Sequence, residues 1–67
     1  MNGRLLIKYR ISRLDLELLE VLANYYPIHL EDLVRFYVST PSRSIEMVKA
    51  AVNWALCQNR DIMDYIK

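Results

Sequence analysis

Residues 18–56, LLEVLANYYPIHLEDLVRFYVSTPSRSIEMVKAAVNWAL, hold three apolar periodicities parted by two clusters of turn formers. Pro27 makes the first break, because it pushes the residue before it out of the helical region and donates no hydrogen bond of its own. Ser39-Thr40-Pro41-Ser42 makes the second, a run of residues suited to caps and turns. Three helices with short connections follow from that punctuation.

Working outward, Ser12 offers an N-cap oxygen and Asp15 stands three residues later, where a capping acid belongs. Leu14, Leu18, Val21, Leu22 and Tyr25 follow at helical spacing with Leu16 and Leu19 beside them, which predicts a first helix from about Arg13 to Tyr25 with that stripe in the core. The second helix begins near His29. Glu31 and Asp32 fall in its first turn, where the helix dipole favours negative charge, and Leu30, Leu33, Val34 and Tyr37 supply its apolar stripe. Thr40 with Pro41 behind it, Ser42 or Ser44 can cap the third helix. Ile45, Val48, Val52 and Leu56 form one stripe of that helix, Met47, Ala51 and Trp54 a second, and Arg43, Glu46, Lys49 and Asn53 project from the remaining side. Asn59-Arg60-Asp61 ends it, and Ile62 to Ile66 fit one further helical turn. Upstream, Leu5, Ile7, Tyr9 and Ile11 alternate with Leu6, Lys8 and Arg10, the period of two expected of a strand with one buried face.

A chain of 67 residues holds one core and no second lobe to close over a substrate. With 54% hydrophobic residues, 25% charged and a single glycine, it reads as one folded domain near the stability margin, for which a homodimer is the natural expectation. No apolar run approaches the roughly 20 residues that span a bilayer, and the opening residues do not read as a secretory signal, so the expectation is a cytoplasmic protein with no membrane partner. The one cysteine, Cys57, excludes an intrachain disulfide and reads as a small core residue.

The residues for catalysis are missing from the pattern. His29, the only histidine, has no Ser, Cys or second His near it in sequence, and Gly3, the only glycine, rules out a glycine-rich phosphate loop. The expectation is therefore a binding protein with no metal and no cofactor. Net charge is only +1, but its distribution is uneven. Met1 to Arg13 carries four cations and no acid, whereas Leu14 to Val34 carries five acids and no Lys or Arg. If these segments fold apart, one face is basic and the other acidic.

Residues 14–56 resemble the core of winged-helix DNA-binding domains. Leu18, Leu19 and Leu22 match the first helix of that family, Pro27-Ile28 the turn, Leu33 the second helix, and Ile45, Val48 and Val52 the buried side of the recognition helix. The resemblance implies a mainly α, helix-turn-helix fold with one N-terminal strand and a reduced or absent wing. It also implies a DNA-binding regulator with Ser42, Arg43 and Ser44 at the helix start facing double-stranded DNA and Lys49 and Asn53 further along. Chemically, free N–H groups at a helix start attract phosphate, while Arg and Asn can each make paired hydrogen bonds to a base edge.

Glu46, in the middle of that face, opposes DNA, and the nine residues after the third helix are too few for a two-stranded wing. Paired N-terminal strands would instead resemble the ribbon-helix-helix family, with Lys8 and Arg10 at the bases. A reading from another class is a protein partner docked on Met47, Ala51 and Trp54, residue types favoured at interfaces.

Overall fold

The computed structural model describes residues 3–41 and 43–66 and is mainly helical, with no strand among the described residues. Helix α1 spans Gly3–Lys8, α2 Arg13–Tyr25, α3 Leu30–Ser39 and α4 Ile45–Gln58, and a terminal 3-10 turn covers Ile62–Ile66. The three helices read from residues 18–56 are α2, α3 and α4.

Local chemistry accounts for most boundaries. Ser12 Oγ accepts from the Asp15 backbone N–H at 3.1 Å and starts α2. Pro27 closes it: Tyr26 is already extended, its N–H still donating to the Leu22 carbonyl. His29 is the N-cap residue of α3 without a side-chain capping bond, so Glu31 and Asp32 complement that helix start by charge alone. Of the three candidate caps for α4, Ser44 is used, accepting from Met47 N–H at 3.4 Å. Thr40 instead follows α3, buried, with its hydroxyl donating to the Tyr37 carbonyl at 2.9 Å. Asn59 ends α4 in the left-handed region.

The expected strand at residues 5–11 is a helix and a turn. A lone strand has no neighbour to take its backbone donors and acceptors, whereas a helical turn satisfies them internally. Helical spacing turns Leu5 and Tyr9 inward together and leaves Ile7 82% exposed, where alternation had placed all three on one side. Helix α1 ends when Ile11 N–H donates back to the Leu6 carbonyl at 3.2 Å around Arg10, whose φ is +52°. That is the six-to-one closure in which glycine is usual, and it buries Ile11 beside Leu5.

The core takes Leu16, Leu19 and Leu22 from α2, Leu33, Val34, Phe36 and Tyr37 from α3, and Val48, Ala51, Val52 and Ala55 from α4. Ala51 and Ala55 are the small members of this buried set. Ile62 of the terminal turn joins the same cluster, and Tyr65 stacks edge-on to Trp54 with centroids 5.5 Å apart.

Two arginines occupy backbone that favours glycine, Arg10 and Arg43, with φ of +52° and +47°. A left-handed L-residue pays about 1–2 kcal/mol, while a new glycine adds unfolded-state entropy worth about 0.4–1 kcal/mol. Arg10→Gly and Arg43→Gly are therefore each expected to leave stability unchanged or raise it by about 0.5–1 kcal/mol. A β-branched replacement at either site should lower it. Urea titration of the glycine and valine variants checks this, and a glycine variant less stable than its valine counterpart contradicts it.

Candidate interaction surfaces

Helix α2 has more apolar residues than one buried face can use. Its inward side is Leu16, Leu19, Leu22 and Ala23; the expected stripe keeps only Leu22 there. The rest of that stripe points outward, with Leu14 67%, Leu18 43%, Val21 63% and Tyr25 78% exposed. These four recur at alternating steps of four and three residues, the spacing of a seam along which helices pack. Arg13, Glu17, Glu20 and Asn24 lie on one flank of the stripe by helical geometry, and α2 has no Lys or Arg beyond Arg13. Large exposed apolar side chains gathered into one contiguous patch often coincide with interaction sites on folded proteins.

The surface expected on α4 is not assembled in that form. Ala51 is fully buried and belongs to the core stripe, Trp54 is half-buried against Tyr65 with the Arg60 guanidinium 5.9 Å from its ring, and only Met47 is exposed. The two apolar rows of α4 were exchanged in part: Val48, Ala51, Val52 and Ala55 face inward while Leu56 is exposed. Cys57, expected in the core, lies on the exposed side, two residues and half a helical turn from Ala55.

The residues assigned to DNA are spread over two ends of the chain. Arg43, Lys49 and Asn53 are all exposed; Lys49 and Asn53 lie on α4 as the sequence predicts, whereas Arg43, expected on the same side of that helix, stands before its cap in the left-handed region. Ser44 is engaged as the α4 cap, and Ser42 lies outside the described residues. Lys49 Nζ is 3.9 Å from the Glu46 carboxylate, which is 87% exposed and keeps negative charge on the same face. Lys8 donates to Glu31 at 3.1 Å, and the Tyr9 hydroxyl donates to the same oxygen at 2.9 Å. That contact joins the basic N-terminal segment to the acidic middle one, so the two do not fold apart into opposite faces. Arg4, Arg10, Arg13 and Arg43 form no ion pair among the described residues.

Two local pKa effects help place these groups. Burial first, then the charge of Asp15 and hydrogen bonding to it, pushes the Tyr37 phenol up, while Arg43 pulls it down. The start of α4 thus lies near the first turn of α2. The Tyr9 hydroxyl, and after it Lys8, holds the Glu31 carboxyl below its usual 4.5. A carboxyl depressed by folding stabilises above its unfolded pKa, and that contribution disappears as pH falls through the folded value. Glu31→Gln should therefore narrow the stability gap between neutral pH and pH 3, as read by urea titration at both; an unchanged gap contradicts the linkage. The pair is exposed, so the effect is small.

An open cleft at the start of α3 is lined by Arg4, Leu5, His29, Leu30, Glu31, Asp32 and Arg35. It mixes both signs of charge, and its acids are engaged, Glu31 by Lys8 and Asp32 by Arg35 at 3.2 Å. No group of three or more His, Cys, Asp or Glu gathers to hold a metal among the described residues. Nor is any described helix long and apolar enough to cross a membrane. The chain matches no family model, no curated protein and no solved structure.

The stripe on α2 is the feature that sequence reasoning missed. Its residues were recognised as helical and apolar, but the signal that could have separated them from the core was the four-three spacing on a helix that also carried Leu16, Leu19 and Leu22.

Proposed function

We infer that the chain is a non-enzymatic protein-interaction module that docks a partner through the outer face of α2. The observation that carries this reading is the exposure of Leu14, Leu18, Val21 and Tyr25 as one seam while a separate row of α2 fills the core. Leaving four such side chains in water forgoes about 1.5–3 kcal/mol of burial for each that could be fully covered, and a partner recovers part of it. Selection of displayed helical peptides on the parent, counter-selected against Leu18→Ser with Val21→Ser, tests it. Peptides that bind the parent and fail on the double variant support the reading. Selected peptides indifferent to that variant remove it.

A second reading, the winged-helix-like DNA-binding regulator, is favoured by Arg43 and Arg10. Both are exposed, free of ion pairs among the described residues, and held in backbone that glycine would occupy more cheaply, which is understandable if the guanidinium itself is needed. With Lys49 and Asn53 on α4 and Arg43 just before its N-cap, α4 would enter the major groove of double-stranded DNA, singly or as a homodimer. The ribbon geometry loses its basis, since residues 5–11 form no strand. Arg43→Ala with Lys49→Ala should then weaken duplex binding by about 1–3 kcal/mol and flatten its salt dependence, because fewer counterions are released. A parent that shows no duplex binding at low salt excludes the regulator.

A further inference from the structure

We propose that the occupant of the α2 face is a second copy of this chain, the two α2 helices running antiparallel across a two-fold axis. The inference rests on the docking reading above and names the partner. Leu14, Leu18, Val21 and Tyr25 form a row about 17 Å long whose steps are four, three and four residues, so it reads the same from either end. A two-fold interface asks for that self-complementarity, because one patch must fit itself when reversed. Turned end for end, a second α2 sets Leu14 against the partner's Tyr25 and Leu18 against the partner's Val21. At every level of the row a longer side chain then meets a shorter one.

The ends of α2 favour the same arrangement. Arg13 at its start is exposed and in no ion pair among the described residues, and Tyr25 at its end is 78% exposed. An antiparallel copy brings each Arg13 to the level of the partner's Tyr25, twice per dimer, and a guanidinium is attracted to the face of a tyrosine ring. Parallel copies would set Arg13 level with Arg13 and Glu17 level with Glu17. The flank itself calls for no partner of opposite charge. Arg13 precedes Glu17 by one turn on the same side, and Glu20 is half-buried and already engaged.

Area sets the strength. The row and the exposed residues beside it, Arg13, Glu17 and Asn24, offer roughly 500 Å² per copy, so the pair buries on the order of 1,000 Å², the low end of specific interfaces. A chain of 67 residues also gains from burial that its own core is too small to supply. A dimer with Kd on the order of 100 μM follows.

The test is sedimentation equilibrium of the whole chain from about 20 μM to about 1 mM, with a reducing agent so that the exposed Cys57 cannot link copies. The parent should pass from monomer to dimer across that range. Leu18→Ser with Val21→Ser should stay monomeric throughout, and Arg13→Ala should weaken the dimer about tenfold. Melting curves of the dilute variants should match the parent, since all three positions are exposed. Nuclear Overhauser contacts between Leu14 methyls and the Tyr25 ring read the direction, because helix geometry holds the two about 17 Å apart within one chain and only an antiparallel copy unites them. A dimer without that contact, or one that survives the double serine change, overturns the proposal. A chain monomeric at about 1 mM overturns it as well. Helical peptides that still bind at the row would then leave the docking reading standing, and their failure to bind would remove both.

Discussion

Phe36→Ala should lower the melting temperature by about 15 °C or more and leave a substantial unfolded population at 37 °C. Phe36 is fully buried and is the largest of the side chains with no exposed surface, with the Tyr65 ring at a centroid distance of 6.2 Å. It sits on α3, which packs against α2, α4 and the terminal turn, so the void would open where all these elements meet. Truncating a buried Phe costs about 3–5 kcal/mol, because the lost transfer energy is joined by a cavity the backbone only partly closes. A domain of this size has roughly 3–10 kcal/mol in all. Circular-dichroism melts of the variant and parent read the difference directly. A cooperative melt within a few degrees of the parent would mean that α3 is not the central element of the core.

That centrality was only partly legible in the sequence. The starts of α2, α3 and α4 were, because they are written in local chemistry: Ser12 before a periodic run, acids at 31 and 32, and Ser44 among the three candidate caps, as was the end of α4 at Asn59. The end of α2 followed from Pro27 for the same reason. Residues 5–11 were misread because an apolar run this short fits either period, and what chose the helix was the absence of a neighbouring strand, a fact about the whole chain. The charge blocks failed similarly. Counting acids and cations along the chain could not show that Lys8 and Tyr9 would converge on Glu31 from more than twenty residues away.

Helix α4 shows how small residues mislead. Ala51 was grouped with Met47 and Trp54 as an interface stripe, yet an alanine between packed helices is a spacer that lets backbones approach, and its small side chain gives periodicity little to detect. Ala55, also buried, was not assigned to either stripe. The candidate DNA face fared better in placement than in chemistry: Arg43, Lys49 and Asn53 are all exposed, but the field they make is reduced by Glu46 among them. Seen with the seam on α2, the chain has an exposed apolar row on one helix and a weakly basic face on another, and the first is the more continuous.

Leu19→Ala and Leu18→Ala, adjacent in sequence and identical in chemistry, should differ in their effect on stability by about 2–4 kcal/mol. Leu19 has no exposed surface and lies in the core cluster with Leu16 and Leu22, so its truncation should cost about 2–5 kcal/mol. Leu18 is 43% exposed on the seam, and a surface substitution of this kind stays within about 0.5 kcal/mol. The first variant should unfold at much lower urea with the slope of the transition preserved, and the second should overlay the parent. Binding should show the opposite order: at temperatures where both variants are folded, Leu18→Ala weakens the helical peptides selected on the parent and Leu19→Ala does not. One turn of the helix by a single residue, about 100°, would exchange the two side chains. Equal destabilisation by both would mean that the seam is covered in the folded protein, and the docking face on α2 would be lost with it.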